Sequence, residues 1–283
     1  WEHLAPAVNR FPAANADSII VDDSKKVYSS GKGLEHLERT ALAWIGLSGK
    51  VPLGLRELWA THCLTESQDI EECTSYARRD LTLPHLLTPD CVAKAGQVLA
   101  GALDRAGFGQ AQVNCQIIMP RRFNELVRLS DSKGVALFQA NAGLLRHIWN
   151  ISGANQVEVM LDKHGGRNFY RPLLQQEFHE TLVLAGREGP TLSQYTVSSG
   201  GRKLQATFIP RADAQYLLVA AASMVAKYLR ELWMELFNAC WTDRISGLRP
   251  TAGYPVDARR FWKEIQPHME RLGIAREMIW RER

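Results

Sequence analysis

Leu204-Gln205-Ala206-Thr207-Phe208-Ile209 alternates like a strand, and after Pro210-Arg211-Ala212 the chain reaches Asp213. Beyond it, Val219-Ala220-Ala221-Ala222-Ser223-Met224-Val225-Ala226-Lys227 belongs to a long helix rich in small side chains. Leu218, Ala222, Val225, Leu229, Leu232 and Leu236 recur every three or four residues, which predicts one apolar stripe. A second apolar run, Val157-Glu158-Val159-Met160-Leu161, ends in Asp162 and reads as a buried strand. An acid at a strand's end sits at the rim of a sheet, where ligands bind. Two such acids on one rim make an oxygen-only site suited to Mg²⁺ or Mn²⁺. Each acid also has a structural reading: Asp213 as the N-cap of the following helix, Asp162 as a turn former.

Outward from these segments, helices are expected over 34–47, 55–61, 88–107, 123–129, 134–149 and 170–178, and after the turn at 250–255. Strands are expected over 18–21 and 113–119. Residues 182–185, 193–197 and 203–209 alternate like antiparallel strands, with turns at Gly186-Arg187-Glu188-Gly189 and Gly200-Gly201. Residues 66–87 are the least regular part. The mixture predicts an α/β fold whose mixed sheet is covered by helices on both faces.

At 283 residues the chain is long enough for its own core. With 46% hydrophobic and 23% charged residues it has a globular composition. A net charge of +4 is compatible with a polyanion partner without requiring one. The C-terminal arginines (Arg259, Arg260, Arg271, Arg276, Arg281 and Arg283) are either a phosphate-facing patch or a solvated helix face. None of the five cysteines forms a C-x-x-C pair, so neither a zinc site nor a disulfide framework is expected and a reducing cytoplasm is favoured. No apolar run is long enough to span a bilayer, so no membrane partner is expected.

The loop Lys163-His164-Gly165-Gly166-Arg167 follows Asp162 directly, and its glycines let backbone approach a ligand while Arg167 suits a phosphate. Asp22-Asp23-Ser24-Lys25-Lys26 reads as a polar turn that can order a loop near a site. Gly253-Tyr254-Pro255 holds an aromatic ring in a rigid turn, where it can pack on a sugar face.

In this order the segments resemble the ribonuclease H type 2 (ribonuclease HII) family. That family has a D-S-K-K segment, here Asp23-Ser24-Lys25-Lys26, and an acid after an apolar strand, here Asp162. It has a further acid before a helix of the pattern A-D-x-x-x-x-x-V-A-A-A-S-x-x-A-K-x-x-R. That pattern matches the stretch from Ala212-Asp213 through Val219-Ala220-Ala221-Ala222-Ser223 to Ala226-Lys227 and Arg230. Its G-Y-P-T turn matches Gly253-Tyr254-Pro255-Val256, with Val for Thr, and residues 170–178 resemble its eukaryotic branch. The resemblance covers about 18–26 and about 123–262.

The resemblance implies one ribonuclease H-like domain over 1–283, with an insertion at about 49–109 and a helical C-terminal extension at about 245–283. It also implies a monomeric endonuclease that cuts the RNA strand of RNA–DNA hybrids, or a ribonucleotide in a DNA duplex, by two-metal catalysis with Mg²⁺ or Mn²⁺. Asp162 and Asp213 would be the metal-binding catalytic acids. Tyr254 would stack beneath the sugar, and Lys227, Arg230, Arg167 and Lys25 would contact the substrate. The family's D-E-A-G-R-G strand, which carries two further carboxylates, has no counterpart here. The chain opens on Trp1, so the expectation is an N-terminally truncated sequence. A non-catalytic nucleic-acid-binding relative, or a scaffold that uses 49–109 as its contact surface, is the alternative.

Overall fold

The computed structural model describes residues 1–11, 17–28, 33–65, 69, 71–72 and 80–282. The chain divides into two compact units, residues 1–121 with 221–283, and residues 122–220. Half of the irregular stretch expected over 66–87 falls outside the described residues; within the described part, Thr82 bridges Gly54 and Leu83 is buried.

In the first unit, β1 (Val8–Asn9) pairs in parallel with β2 (Ile19–Ile20). Asp23 caps the single turn α1 (Ser24–Val27), accepting the Lys25 N–H at 2.9 Å, while Asp22 is buried 3.6 Å from the Lys26 ammonium. The amphipathic patterns become α2 (Leu34–Gly46), α3 (Leu55–His62) and α4 (Pro89–Arg105). Thr88 caps α4 by accepting the Cys91 N–H, and Pro89 takes a first-turn position that needs no donor. Val92, Ala95, Leu99, Ala102 and Leu103 form its buried face, which packs on α2. Residues 49–109 therefore contribute to this unit's core.

The expected strand at 113–119 does not join a ladder. Its one pairing among the described residues is an isolated bridge between Cys63 and Cys115, because the segment opposite it is the irregular end of α3 and offers no run of partners.

The second unit starts with most of α5 (Pro120–Ser130), followed by α6 (Lys133–Ile151), capped where Ser132 accepts the Val135 N–H at 3.4 Å. Next come β3 (Gln156–Asp162), α7 (Arg171–Glu177), β4 (Leu182–Glu188), β5 (Ser193–Ser199) and β6 (Arg202–Ile209). The sheet order is β3-β6-β5-β4, with β3 parallel to β6 and the remaining pairs antiparallel. Period-two alternation buries Val183, Tyr195, Val197, Leu204, Ala206 and Phe208 completely. They pack against Phe138, Ala142 and Leu145 of α6 and Leu174 of α7. The fold is thus α/β with a mixed four-stranded sheet and flanking helices.

Three strand details differ from expectation. β3 is only half-buried, since it pairs with a strand on one side alone among the described residues. β4 runs on through Gly186 to Glu188 across a bulge, so the turn expected at 186–189 comes later. Gly200 and Gly201 do form the β5–β6 turn, at φ 56° and 83°, both in the left-handed region where glycine costs least.

The long helix α8 (Leu217–Thr242) begins four residues past Asp213, which instead lies inside the single 3₁₀ turn Ala212–Ala214. The N-cap reading of Asp213 is thereby corrected. At its start the predicted stripe also rotates: Leu218 and Ala222 are exposed, and Ala220, Ala221 and Met224 are buried instead. The stripe holds from Val225 to Leu236. In the first unit, α8 packs with α9 (Pro255–Leu272) through Phe237, Trp241 and Phe261.

Buried Glu38 on α2 organises that unit. Its carboxylate accepts the Tyr228 hydroxyl at 2.7 Å and the N–H groups of His85, Leu86 and Leu87 at 2.6–2.7 Å. Among the described residues, no helix is long and apolar enough to cross a membrane.

Candidate functional site

In the second unit, β3 and β6 run in parallel, with Asp162 in register with Ile209. Both strands therefore end at the same rim. Asp162 is exposed there, at the last position of β3. Past Ile209, Arg211 adopts φ 55°, and this left-handed residue turns the chain into the 3₁₀ turn that carries half-buried Asp213. The Ala212 N–H donates to Asp162 Oδ1 at 3.3 Å, tying the two acid-bearing segments together.

The loop after Asp162 is anchored at several points. Lys163 Nζ donates to Asn168 Oδ1 at 2.7 Å, to Ser193 Oγ at 3.1 Å and to the Gly189 carbonyl. These acceptors occupy all three ammonium protons, and burial lowers the Lys163 pKa. The Tyr170 hydroxyl accepts the His164 N–H at 2.9 Å, and the Tyr195 hydroxyl accepts the Tyr170 N–H at 2.8 Å. The Tyr170 ring stacks on Phe208 at 3.8 Å. Burial raises the Tyr170 pKa. The His164 ring contacts Phe138, Tyr170 and Phe208 edge-on, and burial, outweighing the nearby Asp162 charge, lowers its pKa. His164 is therefore neutral at pH 7 and serves as packing.

Between these anchors, Gly165 and Gly166 take φ 58° and 79° with open space around both, a path that residues with a Cβ rarely follow. The loop lines two clefts. One, of about 350 Å³, is bordered by Asp162, Lys163, Asn168, Pro190, Pro210 and Arg211; the other, of about 430 Å³, by Ser132, Gly134, His164, Arg167 and exposed Phe169. Arg167 thus stands in the second cleft, apart from the one that Asp162 lines.

The remaining expected residues lie in the first unit. Lys227 Nζ is 2.9 Å from Glu231, 3.2 Å from the Tyr254 hydroxyl and 4.9 Å from the Tyr28 ring centroid. Burial works against the ammonium, but the Glu231 and Tyr254 hydrogen bonds prevail and raise its pKa. Arg230 donates to Glu231 at 2.6 Å and to the Ala252 carbonyl, with its guanidinium 5.5 Å from the Tyr254 ring centroid. Tyr254, the N-cap residue of α9, is half-exposed. Its turn is held by Asp257, which accepts from Thr251 Oγ1 and Ala252 N at 2.7 Å and from Arg260 at 2.7 and 3.0 Å. Lys25 is exposed on α1.

Arg260 is thus engaged within α9, and Arg276 lies 5.4 Å from the Trp262 ring centroid.

No family model, curated protein or solved structure matches this chain.

Carboxylates such as Asp162 and Asp213 offer hard oxygen donors, the type that fits Mg²⁺ or Mn²⁺. Among the described residues no group of three or more His, Cys, Asp or Glu side chains is gathered. Of the two acids, Asp162 borders the first cleft, and Asp213 is not among the residues that line it. Sequence reasoning missed Lys163 as the loop's anchor and Arg211 as both hinge and cleft residue. Only their positions next to Asp162 and Ala212 hinted at either.

Proposed function

We propose that this chain is an endonuclease of the ribonuclease H type 2 kind, hydrolysing the RNA strand of RNA–DNA hybrids or cutting at a ribonucleotide within a DNA duplex. The observation that carries the reading is the shared rim: Asp162 and Asp213 follow two parallel strands in register, and Asp162 is hydrogen-bonded to the residue beside Asp213. Divalent cations, when bound, supply an activated water and neutralise charge on the leaving 3′ oxygen. Asp162 and Asp213 would hold them. The chain's other residues hold and orient. Lys163 and Tyr170 fix the loop beside Asp162, so the carboxylate needs little reorganisation when substrate arrives. Arg211 offers a guanidinium to a phosphate oxygen in the cleft that Asp162 lines.

In the first unit, the half-exposed Tyr254 ring offers a face to a sugar. Lys227 and Arg230, both paired with Glu231, hold that ring in place and lend it positive potential.

The test is cleavage of an RNA–DNA hybrid, and of a DNA duplex with one embedded ribonucleotide, with Mg²⁺ or Mn²⁺. Hydrolysis that requires the cation and falls about 100-fold or more in Asp213→Asn supports the reading. Salt-dependent hybrid binding without hydrolysis under either cation would replace it with the non-catalytic binding module.

A further inference from the structure

Cys63 and Cys115 lie 52 positions apart in sequence, and their Sγ atoms are 2.9 Å apart. Both are in the first unit. Cys63 ends α3 in an extended conformation and bridges Cys115 in parallel. Backbone hydrogen bonds hold the register on both sides: Cys115 N–H to the His62 carbonyl and Leu64 N–H to the Cys115 carbonyl, each at 2.8 Å. Further ties flank the pair. His62 Nδ1 is 2.9 Å from the Val113 carbonyl, and the Ile117 N–H donates to Thr65 Oγ1 at 2.7 Å.

We propose that Cys63 and Cys115 are an oxidative modification site, converted by small disulfide oxidants into an intrachain disulfide. The bond length of about 2.05 Å lies within about 1 Å of the present separation, so side-chain adjustment on a backbone already in register suffices. Both side chains are half-buried, whereas Cys240 is buried. With oxidised glutathione, one cysteine thiolate attacks a glutathione sulfur. The glutathione S–S bond breaks, a mixed disulfide forms and one glutathione thiolate leaves. The second cysteine's thiolate then attacks the mixed disulfide on the protein sulfur and expels the other glutathione. Two electrons pass to the oxidant, and the two protons lost by the cysteines end on the two glutathione thiolates.

The product fastens the end of α3 to the 113–117 segment, which is also held by the hydrogen bonds above, by the Val113 N–H donating to Ser48 Oγ at 3.3 Å and by packing of Val113 and Ile117 on the core. A cross-link closing so long a stretch restricts the unfolded chain and so favours the folded unit.

The test treats the folded wild-type protein with oxidised glutathione, traps the remaining thiols with N-ethylmaleimide in acid denaturant and maps non-reduced peptides. The expected result is a Cys63–Cys115 linked peptide, reversible by dithiothreitol. It should come with a higher unfolding midpoint in the wild type and none of that rise in Cys115→Ser. Alkylation of both cysteines, separate glutathione adducts on each, or linkage of Cys63 to Cys73 or Cys91 would overturn the proposal. The mapping uses wild-type protein, so a poorly folding variant leaves it decisive.

Discussion

Asp162 Oδ1 accepts the backbone N–H of Ala212, the residue directly before Asp213, at 3.3 Å. This contact allows the carboxylate's structural and chemical parts to be separated. Asp162→Asn keeps an acceptor oxygen and removes the charge, so stability should stay within about 0.5 kcal/mol of wild type. Asp162→Ala loses the hydrogen bond as well and should cost about 0.5–1.5 kcal/mol. Under the proposed function both variants lower hybrid cleavage by about 100-fold or more at saturating Mg²⁺. Thermal melting run beside the cleavage assay checks the pair. An Asn variant that melts early would make Asp162 a structural residue.

Lys163 is the anchor of the adjoining loop, with its ammonium engaged by Asn168, Ser193 and the Gly189 carbonyl. Lys163→Met keeps the aliphatic stem and removes a donor from Asn168 Oδ1, Ser193 Oγ and the Gly189 carbonyl. The expected loss is about 1–3 kcal/mol. Hydrogen exchange at the amides of residues 164–168 should speed up more than exchange in β5 and β6. Unchanged exchange would show that His164 and Tyr170 hold the loop without it.

These two positions mark how far the sequence could be read. Period-two and period-three-to-four patterns located β4, β5, β6, α2, α4 and α6, because each has one face that must be buried. Asp162 and Asp213 were legible because an acid following an apolar run is conspicuous. The 113–119 stretch failed because its alternation is strand-like while its neighbour in space is a helix end, which no local pattern encodes. Asp213 fits an N-cap equally well by composition; the 3₁₀ turn that separates it from α8 depends on the left-handed Arg211, a backbone state that side-chain type does not announce. Lys163 looked like one more charge in a basic loop. Its three acceptors include residues 26 and 30 positions away, supplied by the bend between β4 and β5 and the start of β5.

Glu38 accepts three backbone N–H groups and the Tyr228 hydroxyl while fully buried. Burial, added to the Glu38 charge, pushes the Tyr228 pKa far up, so the phenol stays a donor. Glu38→Ala strands four donors, and the expected cost is about 3 kcal/mol or more. Glu38→Gln retains one acceptor oxygen and should cost less. Urea unfolding of the two variants checks the order; equal losses would indicate that the side chain's volume matters more than its oxygens.

Glu231 and Asp257 give the first unit a predictable acid response. Burial pushes each carboxyl pKa up, but hydrogen bonds outweigh it: Lys227 and Arg230 for Glu231, and Thr251, Arg260 and the Ala252 N–H for Asp257. Both pKa values are therefore lowered. Folded protein then binds fewer protons than the unfolded chain between the depressed and ordinary values, so stability rises with pH across that interval. The contribution is complete above the ordinary values, 4.5 for Glu231 and 3.8 for Asp257, and is lost as pH falls through the folded ones. Lys227 behaves in the opposite sense. Its raised pKa gives a contribution complete below 10.5 that disappears as pH climbs through the folded value. Urea midpoints measured from pH 2 to 11 should therefore show a shallower acid limb in Glu231→Gln and Asp257→Asn, and a shallower alkaline limb in Lys227→Met. Acid limbs that match wild type in both carboxyl variants would assign the acid sensitivity to other groups.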